Sequence, residues 1–432
     1  MLSIISVSNG ISEKLKEKSK MLNFIEYIEY HRTLDESEVN NHSTHIEDLC
    51  ITEGTKGIGK ALSGLLYIKN QFGTTRKEIS PVLTIKWDGS PSFIAGYLGS
   101  RFFVASKSLF NKEPKINFSL EDIRKNHSGG ITEKLELLLK YIEPIIPEGK
   151  IFQGDFLFDS KIRKSETING IDSWSFMPNT IQYSVDKSSK VGKDIGAAKI
   201  GVVFHTEYFS DDPEDPRSIR LKKFGVKSSE LKKSKDVWLT DVYHQDLGSV
   251  TSFETTESKW ITTLKGVILK EQSKVRWSLI DKETKKHLLT FINSYIRSGT
   301  IQPDPDIIAS NFDTYINQKY AKALSEKKTE KGKLTETKKF RSVLEFAKDI
   351  KSVSKLFKIH ACLTQIKMMI LSKLDSVKKL NTFLVKSDGT LVVTGNEGFV
   401  LTRTGATGCK LVDRYNFSLA NFSPEFKKGW SR

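Results

Sequence analysis

The sequence predicts an α+β chain whose core is built largely on antiparallel sheets and carries a largely helical insertion. Three observations support that class. Short β-rich runs, separated by Gly-containing turns, follow one another across residues 82–106. Two other segments, Ala61 to Phe72 and Ile131 to Ile145, space their apolar residues as helices do, with Leu135, Leu138, Leu139 and Ile142 on one face. From about Trp277 to Leu380 the chain is nearly free of glycine and rich in Lys, Leu, Ile and Glu, the composition of amphipathic helices.

Taken in order, residues 1–20 end in the charged run Glu13 to Lys20 and are expected to form a basic arm outside the fold. Residues 21–276 form the first part of the core, with strands at Val82 to Trp87, Ser92 to Tyr97, Arg101 to Ser106, Ile151 to Phe158 and Ile200 to Phe209. The helical insertion occupies 277–380 and has a polar break at Ser325 to Glu336. Residues 381–432 close the core with strands at Thr382 to Val385, Leu391 to Thr394, Phe399 to Thr402 and Cys409 to Val412.

Composition excludes several classes. The 432 residues are 38% hydrophobic and 28% charged, too apolar for a disordered chain and too poor in Gly and Pro for a fibrous one. No window approaches the ~20 apolar residues of a membrane span. The longest candidate, Ala361 to Leu371, contains Lys367. The apolar start Met1 to Val7 precedes a Lys-rich stretch, the reverse of a secretory signal, so a cytoplasmic protein with no membrane partner is expected. Cys50, Cys362 and Cys409 are too few and too scattered for a disulfide scaffold, and His42, His45 and Cys50 match no familiar zinc spacing. With 68 Lys+Arg against 52 Asp+Glu, the net charge of +16 points to a phosphate-bearing partner. Lysines concentrate at Leu221 to Lys235 and at Glu326 to Phe340, and the first cluster, with six Lys to one Glu, is the better phosphate-facing candidate.

Two nucleotide motifs compete. Gly54 to Ala61 satisfies G-x-x-x-x-G-K, but Ala61 stands where a P-loop needs a hydroxyl for magnesium, so the glycines are read as the turn into a helix. The second motif, Lys86-Trp87-Asp88-Gly89, ends an apolar strand and has ordered company. Downstream stand Ala105-Ser106-Lys107-Ser108, Gln153 to Phe158 around Asp155, Val202-Val203-Phe204-His205, Glu397-Gly398-Phe399-Val400, and Gly408-Cys409-Lys410-Leu411.

In this ordered set the chain resembles the covalent nucleotidyltransferase superfamily of ATP-dependent RNA and DNA ligases and mRNA capping enzymes. The resemblance covers about Leu83 to Leu411, as islands. It implies an antiparallel-sheet nucleotidyltransferase core, ATP-grasp-like, with Lys86 as the nucleophile that forms lysyl-AMP. It further implies that Asp88, Gly89, Ser106, Lys107, Asp155, Phe204, Glu397 and Lys410 line the ATP site, with Asp155 and Glu397 as ligands for Mg2+. In that reading Phe204 stacks on the purine, and Lys107 and Lys410 help to keep the Lys86 amine neutral. Three departures are visible: Pro91 where many relatives carry arginine, aspartate rather than glutamate at Asp155, and one lysine rather than two in the last motif.

Too little sequence follows Lys410 for the OB-fold that DNA ligases and capping enzymes carry there, which favours an RNA ligase acting on RNA ends rather than DNA nicks. Such a layout is typical of large phages and implies work in the host cytoplasm. A DNA ligase, another nucleotidyltransferase, or a non-catalytic nucleic-acid-binding protein that keeps the fold are the alternatives.

Overall fold

The computed structural model describes residues 44–74, 82–242, 247–298, 304–376, 380–402 and 408–429. The expected arm at 1–20, and His42, lie outside them.

A short strand β1 (Thr44–His45) opens the described chain, followed by a one-turn helix α1 (Leu49–Thr52) and the long helix α2 (Gly54–Gln71). The G-x-x-x-x-G-K run is therefore the first two turns of α2 rather than a phosphate-cradling loop. Gly57 is needed there for packing, since a Cβ on it would lie 1.9 Å from the Leu49 carbonyl oxygen. The predicted strands follow as β2 (Val82–Lys86), β3 (Ser92–Leu98) and β4 (Arg101–Ala105). Next come helices α3 (Leu120–Asn126) and α4 (Gly130–Ile142), then β5 (Ile151–Phe158). Sequence patterning did not predict the meander β6 (Lys164–Ile168), β7 (Ile171–Phe176), β8 (Ile181–Asp186), or helix α5 (Lys190–Ala197). Strand β9 (Ile200–Ser210) pairs antiparallel with β5, and its other edge is shared by β10 (Ile219–Phe224) and β11 (Val237–Thr240).

Helices then run from α6 (Thr255–Glu271) through α7 (Lys282–Arg297), α8 (Pro305–Ser325) and α9 (Glu330–Lys348) to α10 (Ile350–Leu374). The helical stretch thus begins near Thr255 rather than at Trp277. Its pattern is hidden in α6 because only Ile261, Leu264 and Ile268 among its apolar residues are buried in a Thr- and Lys-rich background. Strands β12 (Asn381–Val385), β13 (Leu391–Val393), β14 (Gly398–Thr402) and β15 (Cys409–Val412) close the fold, and α11 (Arg414–Phe422) follows.

The strands form three sheets, in the orders β1-β15-β14-β2, β10-β9-β5-β3-β4 with β11 beside β9, and β13-β12-β8-β7-β6. Most pairings are antiparallel, as predicted; β1 with β15 and β11 with β9 are parallel. In the second sheet one face packs on α4, burying Phe93, Phe152, Phe156, Val202 and Phe204 against Leu135, Leu138 and Ile142. The first sheet shares a single core with the helices: Ile85, Phe399 and Leu411 are buried with Leu65, Phe357, Leu363 and Ile366. The helical stretch is therefore the backing of the sheet that carries Lys86, and not a module hung outside it.

The centre of that backing is α10. Asp349 caps it by accepting a hydrogen bond from Ser352 N, and apolar residues recur at three- and four-residue intervals from Val353 to Leu374. One interior position is charged. Lys367, 1% exposed, donates to Glu47 Oε1 at 2.7 Å and to the Val412 carbonyl at 2.8 Å. Asp48 beside it accepts from Arg414 at 2.9 Å and meets His360 Nε2 at 2.9 Å. This buried ionic set ties the segment before α1, the middle of α10 and the start of α11 into one knot.

Candidate functional site

Register in the first sheet builds the site. Gly398 lies opposite Lys86 on one side and Val412 on the other, and Val400 lies opposite Thr84 and Lys410. Because side chains alternate along a strand, Lys86 and Lys410 share one face while Ile85, Phe399 and Leu411 point into the core. Glu397, immediately before β14, comes back onto Lys86, and Lys86 Nζ donates to its Oε2 although the two residues are 311 apart in sequence. The pair is half-buried, with 29% of the lysine side chain and 18% of the carboxylate side chain exposed.

The turn after Lys86 brings in the second sheet. A Cβ on Gly89 would lie 2.5 Å from Asp155 Cβ and 3.0 Å from the Phe156 carbonyl oxygen, so glycine allows the turn to press against β5. Ser90 N donates to Phe156 O and Phe156 N to Pro91 O, which locks that approach. Asp155 is thereby placed beside Lys86, and its charge acts on both Lys86 and Glu397. His205 completes the set, with Nε2 3.6 Å from Asp155 Oδ2. Lys107, at the start of a short helical turn Lys107–Phe110, is exposed, and its charge reaches both His205 and Lys410.

The electrostatics differ from expectation in one respect. Burial opposes the charge on Lys86, but the Glu397 carboxylate, with Asp155 and Asp88 behind it, outweighs burial and raises the pKa above the ordinary lysine value. The lysine whose pKa is lowered is Lys410, through burial first and then the nearby Lys86 charge. Lys107 and Lys410 therefore do not by themselves neutralise Lys86. Burial, with Asp88 and Asp155, drives Glu397 up to about 7 against the pull of Lys86. Burial also lowers the His205 pKa, partly offset by Asp155.

Three expected site residues are committed elsewhere. Phe204 is 2% exposed and packs edge-on against Phe93 at 5.5 Å and Phe152 at 5.9 Å, on the α4 side of the sheet, so it is core and not a purine platform. A register shift between Gln153 and Gly154 turns its neighbour His205 toward Asp155 instead. Asp88 is 5% exposed and accepts from Thr180 N and Ile181 N at 2.7 Å each and from Asn179 Nδ2 at 2.8 Å. It fastens the turn to β8, and its carboxylate is committed to those donors. Ser106 accepts from Ser108 N at 3.2 Å and caps the short helical turn. Phe204→Leu should accordingly cost about 1–2 kcal/mol of stability in urea unfolding and leave nucleotide affinity unchanged; a tenfold loss of affinity would restore the stacking role.

The donor types are those that a magnesium nucleotide would need. Asp155 and Glu397 supply hard oxygens, and Lys107 and Lys410 supply cations for phosphate. Among the described residues no group of three or more His, Cys, Asp or Glu side chains is placed to hold a metal ion, so phosphate oxygens would have to complete the shell of a magnesium ion there. Among the same residues no helix is long and apolar enough to cross a membrane.

Comparisons with known proteins are sparse: no curated protein and no solved structure matches the chain. A family model does match, over residues 40–427, and it is described as a family of unknown function, DUF6267; the chain belongs to that family.

Proposed function

We propose that this chain is an ATP-dependent polynucleotide ligase of RNA-ligase type, working in the cytoplasm through a lysyl-AMP intermediate. One observation carries the reading: Lys86, Asp155, His205, Glu397 and Lys410, drawn from five separate sequence islands on or beside β2, β5, β9, β14 and β15, converge on one site, with Lys86 hydrogen-bonded to Glu397. Chance carriers of K-x-D-G have no reason to bring a distant carboxylate onto that lysine.

The residues divide the chemistry as follows. Lys86 Nζ attacks the α-phosphorus; the N–P bond forms as the bond to pyrophosphate breaks. The amine must first lose a proton, and Glu397, with its carboxyl near 7 and already accepting from Nζ, is the group in reach to take it. Asp155 and Glu397 would hold magnesium, which neutralises charge on the phosphates. Lys107 and Lys410 bind phosphate oxygens. AMP then passes to a 5′-phosphate, and a neighbouring 3′-hydroxyl displaces it to seal the strand.

The test is incubation with α-labelled ATP and magnesium, followed by denaturation. Label bound to protein and released onto a 5′-phosphorylated RNA end supports the reading; label taken from GTP in preference moves it to capping chemistry; no label overturns it. Sealing assays on nicked RNA, DNA and hybrid duplexes, and on single-stranded ends, assign the acceptor. A second reading, a nucleic-acid binder without turnover, is favoured by the ion pair that holds Lys86 as an ammonium. Salt-sensitive strand binding without labelling would select it.

A further inference from the structure

The two lysine clusters of the sequence have different fates. In the first, Lys222 donates to the buried carboxylate of Glu207 at 2.9 Å, and Lys223 lies 3.4 Å from it and 2.5 Å from Glu230. Those two charges are consumed by the fold, while Lys227, Lys232, Lys233 and Lys235 stay exposed without a cluster of rings among them. In the second region, from Lys319 to Lys348, ten Lys and Arg stand against four Glu. Lys319, Lys322, Lys328, Lys331, Lys338 and Lys339 are all exposed there.

Three helices meet in this region through a knot of rings. His287 of α7 packs on Phe340 of α9 at 5.1 Å, Tyr320 of α8 packs on Phe340 at 5.5 Å, and the Tyr320 hydroxyl lies 2.9 Å from Thr337 Oγ1. Each ring residue is immediately preceded by a lysine: Lys286 before His287, Lys319 before Tyr320, and Lys339 before Phe340. All three lysines are exposed, and their charges all act on His287. Lys319 also lies over the Tyr315 ring at 5.5 Å. The acidic residue facing the group is Glu283, 4.0 Å from Lys286. Packing the rings has therefore gathered one cation from each of three helices into a collar, a geometry that lysines scattered for solubility would not need. Lys322 and Lys338 lie one turn away along α8 and just beside Lys339 on α9.

We propose that this collar of Lys286, Lys319 and Lys339, extended by Lys322 and Lys338, is a phosphate-backbone-binding surface for a polynucleotide strand. Phe340 is buried beneath the collar, but His287, Tyr315 and Tyr320 are half-buried, and cations interleaved with such rings suit a single strand, whose phosphates they pair and whose bases find π faces nearby. The surface gives the strand of the proposed reaction its place and rests on that reading for its purpose, but strand binding is measured without any nucleotide transfer.

The experiment compares the full-length chain with Lys286→Ala/Lys319→Ala/Lys339→Ala, using fluorescence anisotropy on a labelled single-stranded RNA of about twenty nucleotides across a salt series. A control triple, Lys125→Ala/Lys190→Ala/Lys193→Ala, removes the same charge from exposed positions elsewhere. The collar variant should bind about tenfold more weakly, with the slope of log affinity against log salt reduced by about 2. The control should bind nearly as wild type. Equal weakening in both triples, or none in the collar triple, overturns the proposal. Labelling of Lys86 from ATP is read in the same samples: its failure in wild type sinks the ligase reading alone, while its survival in the collar triple shows that the altered surface still folds.

Discussion

Lys86→Ala acquires no label from α-labelled ATP, and Glu397→Gln labels at least about a hundredfold more slowly than wild type, the scale of losing one charge-stabilising group at a reaction centre. The two variants test different things. Removing Lys86 removes the attacking nitrogen, and label persisting there would end the covalent mechanism. Glu397→Gln relieves the interaction that raises the Lys86 pKa, so a purely inhibitory Glu397 would make this variant faster. If Glu397 instead accepts the lysine proton or holds magnesium, the variant slows.

The pH profile carries the same argument. Glu397 is protonated below about 7 and ionised above it, and only the carboxylate can receive a proton or bind a cation. Apparent kcat/KM for labelling should therefore rise with pH through a midpoint near 7, since that parameter reports the free protein. A flat profile from pH 6 to 8 would remove Glu397 from the mechanism.

The largest stability effect is expected in the buried ionic knot behind the sheet that carries Lys86. Lys367→Met should destabilise the fold by about 3–5 kcal/mol, because it leaves the Glu47 charge buried without its main partner. Arg414 approaches Glu47 Oε1 at only 3.5 Å, and Glu47 Oε2 has no hydrogen-bond partner among the described residues to compensate. Urea unfolding measures the loss, and Lys367→Met/Glu47→Leu should recover most of it by removing the stranded charge as well. A loss below about 1 kcal/mol would mean that solvent reaches the knot.

The knot also sets an acid limit. Burial opposes ionisation of Glu47, but Lys367 outweighs it and holds the pKa below 4.5; burial likewise opposes ionisation of Asp48, yet its hydrogen bond to His360 and the charge of Arg414 hold it below 3.8. Depressed carboxylates stabilise the fold above their unfolded values, and that contribution drains away as the pH falls below them.

The sequence is informative where one physical signal dominates. Strands β5 and β15 have the ends that their apolar runs and flanking turns predict, and the motif order marks Lys86 and Glu397 as members of one pocket, although it does not foretell the ion pair between them. The meander from Lys164 to Asp186 is not legible, since its Ser, Glu and Asp residues blur the alternation until neighbouring strands supply the pairing. The choice between Phe204 and His205 depends on a bulge in the β5–β9 register, and no local pattern encodes a bulge. The role of Asp88 depends on three donors from Asn179 to Ile181, more than ninety residues downstream.

The pairing of β2 with β14 also orders events in time. As the chain leaves a ribosome, Lys86 emerges early, but the strand it pairs with and the carboxylate it contacts come more than three hundred residues later. β15 and the Val412 carbonyl that anchors Lys367 come later still. A nascent or prematurely terminated chain therefore displays Lys86 without Glu397 and Lys410, so the proposed chemistry at Lys86 can begin only after β14 and β15 have emerged.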